Sequence, residues 1–205
     1  MANTVGQAYG LTVLSPIRGD LVNGVSRARL LRTQLAALPN GPDSPFARLP
    51  MMHFARWVVI DELPVEGFPA KDDQLANAWL LFVCEFDGAL DPMLQLLATA
   101  AGEAVDAICA HCVGYPGADS LRAFAAWFHK CQIETTFLFS SYPDDTVADV
   151  QRALVVQRAF VAWLAEHLPV LHGPVGAAEA AALQAAFRTF WRGASAAPLP
   201  PRGAP

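Results

Sequence analysis

The chain has 205 residues, of which 54% are hydrophobic and 16% are charged, and its formal net charge is -5 at pH 7. This length and hydrophobicity suffice for one well-buried core, while the acidic balance and the absence of a Lys/Arg cluster argue against a nucleic-acid partner. No apolar run reaches the length of a membrane span and no secretory signal is recognisable, so we expect a cytoplasmic protein with reduced thiols and no membrane partner.

The apolar segments in the first half of the chain predict three strands and one helix. "YGLTVLSPIRG" (9–19) is an apolar, β-branched run that is typical of a strand entering a loop. From Ser26 onward, leucines recur at helical spacing until "PNGPDSP" ends the helix. The aromatic and β-branched runs 51–63 and 78–88 predict two strands. The polar connection 66–77 between them favours antiparallel neighbours.

The second half is predicted to be mostly helical. We expect Asp91 to cap a helix that runs to about Ala110, and Thr146 and Asp149 to form a variant capping box before a long helix. Further predictions are a short helix over 118–132, a strand over 133–143, a helix end at Pro169 and a final helix over 177–193. We divide the chain into an α+β domain (1–145), a helical extension (146–192) and a disordered tail (193–205).

The predicted order is strand, helix, strand, strand, helix, helix, strand, with two helices appended. This order predicts an α+β fold, with a ferredoxin-like antiparallel sheet that carries its helices on one face. On this element order, residues 9–143 resemble the dimeric α+β barrel superfamily of dye-decolorising peroxidases, chlorite dismutases and antibiotic-biosynthesis monooxygenases. The peroxidases of that group carry a Gly-x-x-Asp-Gly signature over haem. "CEFDGALD" matches it at Asp87 and Gly88 but lacks the leading glycine.

Two of the predicted strands are apolar on both faces. In "HFARWVVI", alternation puts His53, Ala55, Trp57 and Val59 on one face and Phe54, Arg56, Val58 and Ile60 on the other. A sheet with water on one side should alternate between apolar and polar residues. We therefore expect the second face to be covered by a dimer partner, by the C-terminal helices or by an apolar ligand, and we predict a homodimer.

The stretch "DAICAHCVGYPG" (106–117) contains a C-x-x-C pair, Cys109 and Cys112. A thioredoxin-type pair needs its first cysteine at a helix N-terminus, whereas this pair follows a predicted helix, and Val113 stands where attachment of c-type haem needs histidine. His129 and Cys131 could complete a set of zinc ligands. We favour packing of both thiols as small hydrophobic groups, and predict no metal site.

Four polar residues within the apolar strands are the candidate catalytic residues. His53 could act as an acid, a base or a ligand in a pocket, although a satisfied histidine in the core or at an edge is the more common case. We expect Arg56 to form an ion pair with Glu85 on the neighbouring strand. Asp87 lies on the same strand face as Glu85, but it could equally form a turn with Gly88.

The candidate cofactor-binding residues are His53, Trp57 and His111. Trp57 is predicted to share the strand face of His53. His111 is placed where a turn leaves a helix, and capping of the last carbonyl groups is the commoner role for such a residue. The resemblance makes haem the cofactor to test at these positions.

Two classes of function follow from these observations. In the first, the chain is a bacterial-type soluble α+β-barrel protein that binds an apolar small molecule or haem, and is an oxidoreductase if it is an enzyme. In the second, it is a non-catalytic protein-interaction or assembly module. The sequence favours the first class only through the resemblance, and it names neither a reaction nor a substrate.

Overall fold

The computed structural model describes residues 3–63, 67–68, 75–172 and 175–199. The strands are β1 (Thr4–Val5), β2 (Ala8–Pro16), β3 (Leu21–Val22), β4 (Val25–Ser26), β5 (Met52–Ile60), β6 (Trp79–Asp87) and β7 (Gln132–Ile133). The α-helices are α1 (Arg27–Ala36), α2 (Leu90–Ala100), α3 (Gly102–Cys109), α4 (Leu121–Cys131), α5 (Val147–Leu171) and α6 (Ala177–Ala196). The predicted α+β class is confirmed.

The main sheet is antiparallel and is built around β6. One side of β6 pairs with β2, from Asp87 opposite Ala8 to Trp79 opposite Pro16, and the other side pairs with β5. The outer edge of β2 is shared by β1 and β7, which pair with different parts of it. The order β7-β2-β6-β5 is compatible with a ferredoxin-like sheet. β3 and β4 form a separate small hairpin before α1.

One face of this sheet forms the hydrophobic core with the helices α1 to α4. Leu11 and Val13 of β2 lie opposite Cys84 and Phe82 of β6, and all four side chains are buried. The helices contribute Leu31, Leu94, Leu97, Val105, Ile108, Phe124 and Phe128. Each large side chain buried here stabilises the fold by roughly 1.5–3 kcal/mol relative to exposure. The core therefore fixes the orientation of β5 and β6, the strands that carry the candidate site.

The opposite face of the sheet, which we call the second face, is apolar and only half-buried. It carries Val58 of β5, Leu81 and Val83 of β6 and Leu14 of β2. Residues 134–143 cross one end of it, where the Leu138 side chain lies so close to Gly10 that a β-carbon there would meet it at 3.1 Å. Val58, Leu81 and Val83 thus agree with the expectation of a second apolar face, although Arg56 and Glu85 lie on the same face.

The strand predicted over 133–143 is wrong beyond Ile133. β7 is only two residues long because β1 already pairs with the part of the β2 edge that a longer strand would need. The backbone of 134–143 is held in other ways: the Thr135 N–H donates to the Asn3 side chain, and the Pro143 carbonyl accepts from Gln7. Local β-propensity was overridden by competition for the sheet edge.

The predicted helices exist, but several of their limits differ. Residues predicted as one helix from Asp91 to Ala110 form two, α2 and α3, because the backbone at Ala101 leaves helical geometry (φ -127°, ψ 12°). Ala89 is the N-cap, so Asp91 lies inside the first turn and does not cap the helix. The capping box of Thr146 and Asp149 is confirmed.

The C-terminal part also departs from the predicted limits. α5 continues beyond Pro169 to Leu171, so the helix does not end at the proline as predicted. α6 extends to Ala196, so the first residues of the predicted tail are helical, and 200–205 lie outside the described residues. Much of the predicted connection 66–77 also lies outside them. The division of the chain into domains stays a prediction.

Candidate functional site

A β-bulge in β5 determines where His53 lies. Met52 is opposite Phe86 and Phe54 is opposite Glu85, which leaves His53 without a partner on β6. A bulge re-aims the side chain of its extra residue, and bulges are common beside functional sites. The alternation that predicts a shared face for His53 and Trp57 therefore fails at His53, whose ring turns toward the end of β6.

The ring of His53 is held by Asp87. His53 Nε2 lies 2.7 Å from Asp87 Oδ1, and the two side chains are 28% and 13% exposed. The second oxygen, Oδ2, accepts a hydrogen bond of 2.8 Å from the backbone N–H of Val147 in the first turn of α5. A carboxylate is favoured at a helix N-terminus, and it accepts from both partners. With Nε2 as the donor, Nδ1 is the basic nitrogen of a neutral His53.

His53 lies at the rim of a cleft of about 560 Å³ beside the edge strand β5. This volume is in the range of small-molecule sites, about 300–1,000 Å³. The walls come from the end of α1, from the connection that follows it and from the first turns of α5. The apolar lining is Leu35, Leu38, Pro39, Phe46, Ala47, Leu49, Met52, Phe54, Ala55, Trp57 and Val147, and the polar side chains are Asn40, Ser44, His53 and Gln151.

Trp57 forms part of the cleft lining and has an unused hydrogen-bond donor. Its ring stacks on Phe82 at a centroid distance of 4.0 Å and contacts Phe46 at 6.2 Å, so the indole is held in place. Its Nε1–H is buried and has no hydrogen-bond partner among the described residues. A buried donor without an acceptor costs roughly 1–3 kcal/mol. Because Nε1 itself has almost no exposed surface, an acceptor atom on a bound molecule would remove that cost only if a neighbouring side chain moved aside.

Three of the residues that form the cleft walls were not predicted from the sequence. Leu38 and Phe46 flank the "PNGPDSP" segment, which was interpreted only as a helix stop, and Val147 follows a capping residue. These three residues approach β5 only after the chain has folded, because they come from segments far apart in sequence. The apolar residues on both sides of a turn-rich segment are the one signal that could have suggested a wall.

Arg56 and Glu85 do not join the site. Both side chains lie on the second face, but the register places Arg56 opposite Val83 and Glu85 opposite Phe54. Within the described part of the chain, Arg56 forms no salt bridge, and its side chain is exposed. The predicted ion pair with Glu85 is therefore wrong, because an exposed guanidinium group is solvated and needs no partner.

His111 is remote from the cleft. The next residue, Cys112, forms a β-bridge with Ile17, just beyond the Pro16 end of β2. Asp87 lies at the other end of β2, where it pairs with Ala8. The eight residue steps of β2 between those ends span about 26 Å at roughly 3.3 Å per residue. The His111 carbonyl accepts from the Arg18 N–H, and its ring Nε2 lies 3.3 Å from the Gln34 side chain. The structure therefore does not place His111 with His53 and Trp57.

The four cysteines are free thiols, and three of them lie close to one another near α3 and α4. Burial raises the pKa of Cys109, and raises that of Cys112 to about 12, with the neighbouring thiols adding to both effects. His129, the fourth ligand of the zinc alternative, instead contacts Asp91 at 2.7 Å. No group of three or more His, Cys, Asp or Glu side chains among the described residues has the geometry to hold a metal ion.

The cleft does not fit haem. Nε2 of His53 is engaged by Asp87, so the imidazole does not offer this nitrogen as an axial ligand. None of the described side chains that line the cleft is an arginine or a lysine, the residues that would pair with the propionate groups. The lining mixes apolar side chains with uncharged polar ones, which suits an uncharged organic molecule that carries polar groups.

Comparisons of the chain with protein-family models, with curated protein sequences and with solved structures found no match. The resemblance to the α+β barrel superfamily therefore rests on the order of the elements and of the strands. Among the described residues, no helix is long and apolar enough to span a membrane. The function has to be argued from the cleft itself.

Proposed function

We propose that the chain binds an apolar small molecule with a hydrogen-bonding oxygen in the cleft beside β5, and that His53 exchanges a proton with this molecule. One observation carries the proposal: the same cleft is lined by His53, whose ring Asp87 orients, and by the Trp57 indole, whose N–H has no partner among the described residues. An apolar cleft with a few placed polar groups is the usual form of a small-molecule site.

The chemistry follows from the roles of the three side chains. Asp87 orients the His53 ring and would stabilise the imidazolium ion that forms when Nδ1 takes a proton. The Trp57 N–H can donate to the oxygen that becomes negative when the ligand loses its proton. Proton transfer is the step that these residues can perform. The oxidoreductase chemistry that the resemblance implies needs an electron acceptor in addition.

A matched pair of probes tests this proposal. 2-Naphthol has a hydroxyl group, and naphthalene has the same rings without it. We expect the wild-type protein to bind 2-naphthol several-fold more tightly in calorimetric titrations, since one hydrogen bond contributes about 0.5–1.5 kcal/mol. Trp57→Phe and His53→Ala should each reduce this preference. Trp79→Phe is the control, because Trp79 lies on the second face at the other end of β6.

The naphthalene titrations separate lost specificity from a damaged cleft. Trp57→Phe should keep the wild-type affinity for naphthalene, because phenylalanine keeps an aromatic ring at this position of the lining. The proposal is wrong if wild type binds the two probes equally, or if the preference survives in both Trp57→Phe and His53→Ala.

A second candidate function is assembly, and we propose a homodimer in which the second face is covered by a second copy. Its support is the half-buried, apolar character of Val58, Leu81 and Val83, whereas α1 to α4 pack on the opposite face. Sedimentation should give twice the 22.0 kDa chain mass. Val58→Asp should weaken the dimer, and Leu21→Asp, in the exposed β3–β4 hairpin, should not. A monomer at micromolar concentration contradicts this proposal.

A further inference from the structure

β5 is the last strand of the main sheet, and among the described residues no strand pairs with its outer edge. This edge borders the cleft, whose lining includes Ala55 and Trp57 of β5. The edge of a sheet presents a row of backbone N–H and C=O groups, which is a template for pairing with another chain. The backbone groups of β5 that face outward are therefore part of the cleft.

The hydrogen bonds of β6 identify the residues of β5 that point to this outer edge. The Ile17 N–H donates to the carbonyl of Ala78 at 2.8 Å, so the even-numbered residues along β6 bond to β2. Residues of an antiparallel strand alternate between its two neighbours, so the odd-numbered residues of β6 bond to β5. Their partners on β5 are Phe54, Arg56, Val58 and Ile60. Ala55, Trp57 and Val59 consequently direct both of their backbone groups outward.

The contacts of these three residues agree with this assignment. The Val59 carbonyl accepts a hydrogen bond of 3.0 Å from Arg32 of α1, which lies outside the sheet. Neither the N–H nor the carbonyl of Ala55 or Trp57 has a hydrogen-bond partner among the described residues. Two donors and two acceptors, spaced two residues apart, thus face the cleft. The complement of this pattern is the backbone of another extended chain.

The side chains beside the edge indicate what such a chain would carry. Residues that are directly opposite each other in neighbouring strands point to the same face of the sheet. Partners of Ala55 and Trp57 would direct their side chains into the cleft, which Leu38 and Phe46 line. The residue between these partners would lie beside Arg56, which is exposed and forms no salt bridge among the described residues. An acidic residue between two apolar ones fits these surroundings.

We propose that the outer edge of β5 binds an extended peptide of a partner protein as an additional strand, with an acidic residue between two apolar ones. Strand addition takes its affinity from main-chain hydrogen bonds and its specificity from pockets for alternate side chains. It goes beyond the proposed function and does not rest on it, because the backbone of β5 makes the main contacts. The apolar side chains of the peptide would enter the same cleft, so peptide and small molecule would exclude each other.

A second copy of β5 is a poorer complement to this edge. The antiparallel register that uses all the free groups places Ala55 of each copy opposite Trp57 of the other. It also places the Arg56 side chains of the two copies directly opposite each other, and like charges in such a pair are destabilising. A peptide with a carboxylate at that position makes an attractive contact instead.

A matched pair of peptides tests the main-chain contacts. The probe is acetyl-Thr-Val-Glu-Val-Thr-amide, and its control carries N-methyl groups on both valines, which removes two N–H donors and keeps every side chain. We expect the wild-type protein to bind the probe about tenfold or more tightly than the control in calorimetric titrations, since two hydrogen bonds are lost. Replacing the glutamate of the probe by lysine should also weaken binding, and the Arg56→Glu variant should reverse that preference.

Hydrogen exchange locates the contact on β5. A saturating concentration of the probe should slow exchange of the Ala55 and Trp57 backbone N–H groups about tenfold or more, because they gain acceptors on the peptide. The Val58 N–H is the internal control, since the register already bonds it to β6. Its exchange should change much less.

Three results would overturn the inference: no binding of the probe at millimolar concentration, equal binding of probe and control, or binding that leaves exchange at Ala55 and Trp57 unchanged. Slow exchange at both positions in the protein alone, increasing with protein concentration, would assign the edge to a second copy and would overturn it as well. The preference for 2-naphthol is measured without the peptide, so these failures leave the proposed function standing.

Discussion

Asp87 joins the bulge of β5 to the start of α5, because its two carboxylate oxygens bind different elements. Oδ1 contacts His53 Nε2 at 2.7 Å, and Oδ2 accepts from the Val147 N–H at 2.8 Å. Asp87 thereby fixes both the ring of His53 and the helix turn that forms one wall of the cleft. Its structural role is larger than that of His53.

Asp87→Ala should therefore destabilise the protein more than His53→Ala. The first change removes two hydrogen bonds to a mostly buried carboxylate, each contributing about 1.5–3 kcal/mol, and the second removes one. We expect the free energy of unfolding, from urea titrations, to fall by about 3–6 kcal/mol for Asp87→Ala and by about 1.5–3 kcal/mol for His53→Ala. Equal losses in the two variants would show that the Val147 contact contributes nothing.

Arg56→Ala should change the free energy of unfolding by less than about 0.5 kcal/mol, as for most exposed positions away from a network. Sequence reasoning expected a larger loss from a broken ion pair with Glu85. Arg32→Ala is the matched control, because Arg32 contacts Asp61 and the Val59 carbonyl. A loss for Arg56→Ala as large as that for Arg32→Ala would restore the predicted ion pair in solution.

The sequence predicted those strands and helices whose burial or capping is encoded by residues within the same segment. β2, β5 and β6 were found from apolar runs, and α5 from its capping box, because burial and capping act within each segment. β7 was predicted too long, since the edge of β2 is also used by β1, a segment more than a hundred residues away. Competition between distant segments leaves no local pattern.

The candidate site was only partly predictable for a related reason. His53, Trp57 and Asp87 were selected as polar or aromatic groups in apolar strands, and the structure places His53 and Trp57 in the cleft lining and Asp87 against His53. The bulge that turns His53 toward Asp87 is a feature of strand register, which a single sequence does not fix. His111 was selected as a histidine at a predicted helix end, and it lies near the opposite end of the sheet.

The protein should lose stability through His111 as the pH falls. Burial lowers the pKa of His111, and the nearby Arg27 and Arg18 lower it further, although Asp20 acts in the opposite direction. The unfolded chain, with a pKa near 6.5, binds the proton before the folded chain does. Neutral His111 therefore makes its full contribution to folding stability above the pKa of the unfolded chain. This contribution is lost as the pH falls through the lower pKa of the folded protein.

Urea titrations between about pH 8 and pH 5 measure this effect, with His111→Gln as the reference. We expect the free energy of unfolding to fall more steeply with decreasing pH in wild type than in His111→Gln. The other histidines are common to both proteins, so the difference between the two curves belongs to position 111. Parallel curves would show that His111 titrates normally in the folded state.

The thiols should differ in reactivity according to burial. Cys84, Cys109 and Cys112 are buried with raised pKa values, whereas Cys131 is half-buried. Because the thiolate is the reactive form, we expect iodoacetamide to label Cys131 first in the folded protein, and the other three only on unfolding. Mass spectrometry of peptides identifies the labelled positions. Early labelling of Cys109 or Cys112 would contradict their packing in the core.

The most direct test of the proposed cleft is the indole N–H resonance of Trp57 in a ¹⁵N-labelled protein, assigned by its loss in Trp57→Phe. We expect 2-naphthol to move this resonance strongly in saturable fashion and naphthalene to move it much less, because only the hydroxyl oxygen can accept from Nε1. Trp127 is the internal control, since its Nε1–H already donates to the Val113 carbonyl at 3.1 Å. A Trp57 resonance that stays unmoved by 2-naphthol, or that moves equally with both probes, would contradict the account.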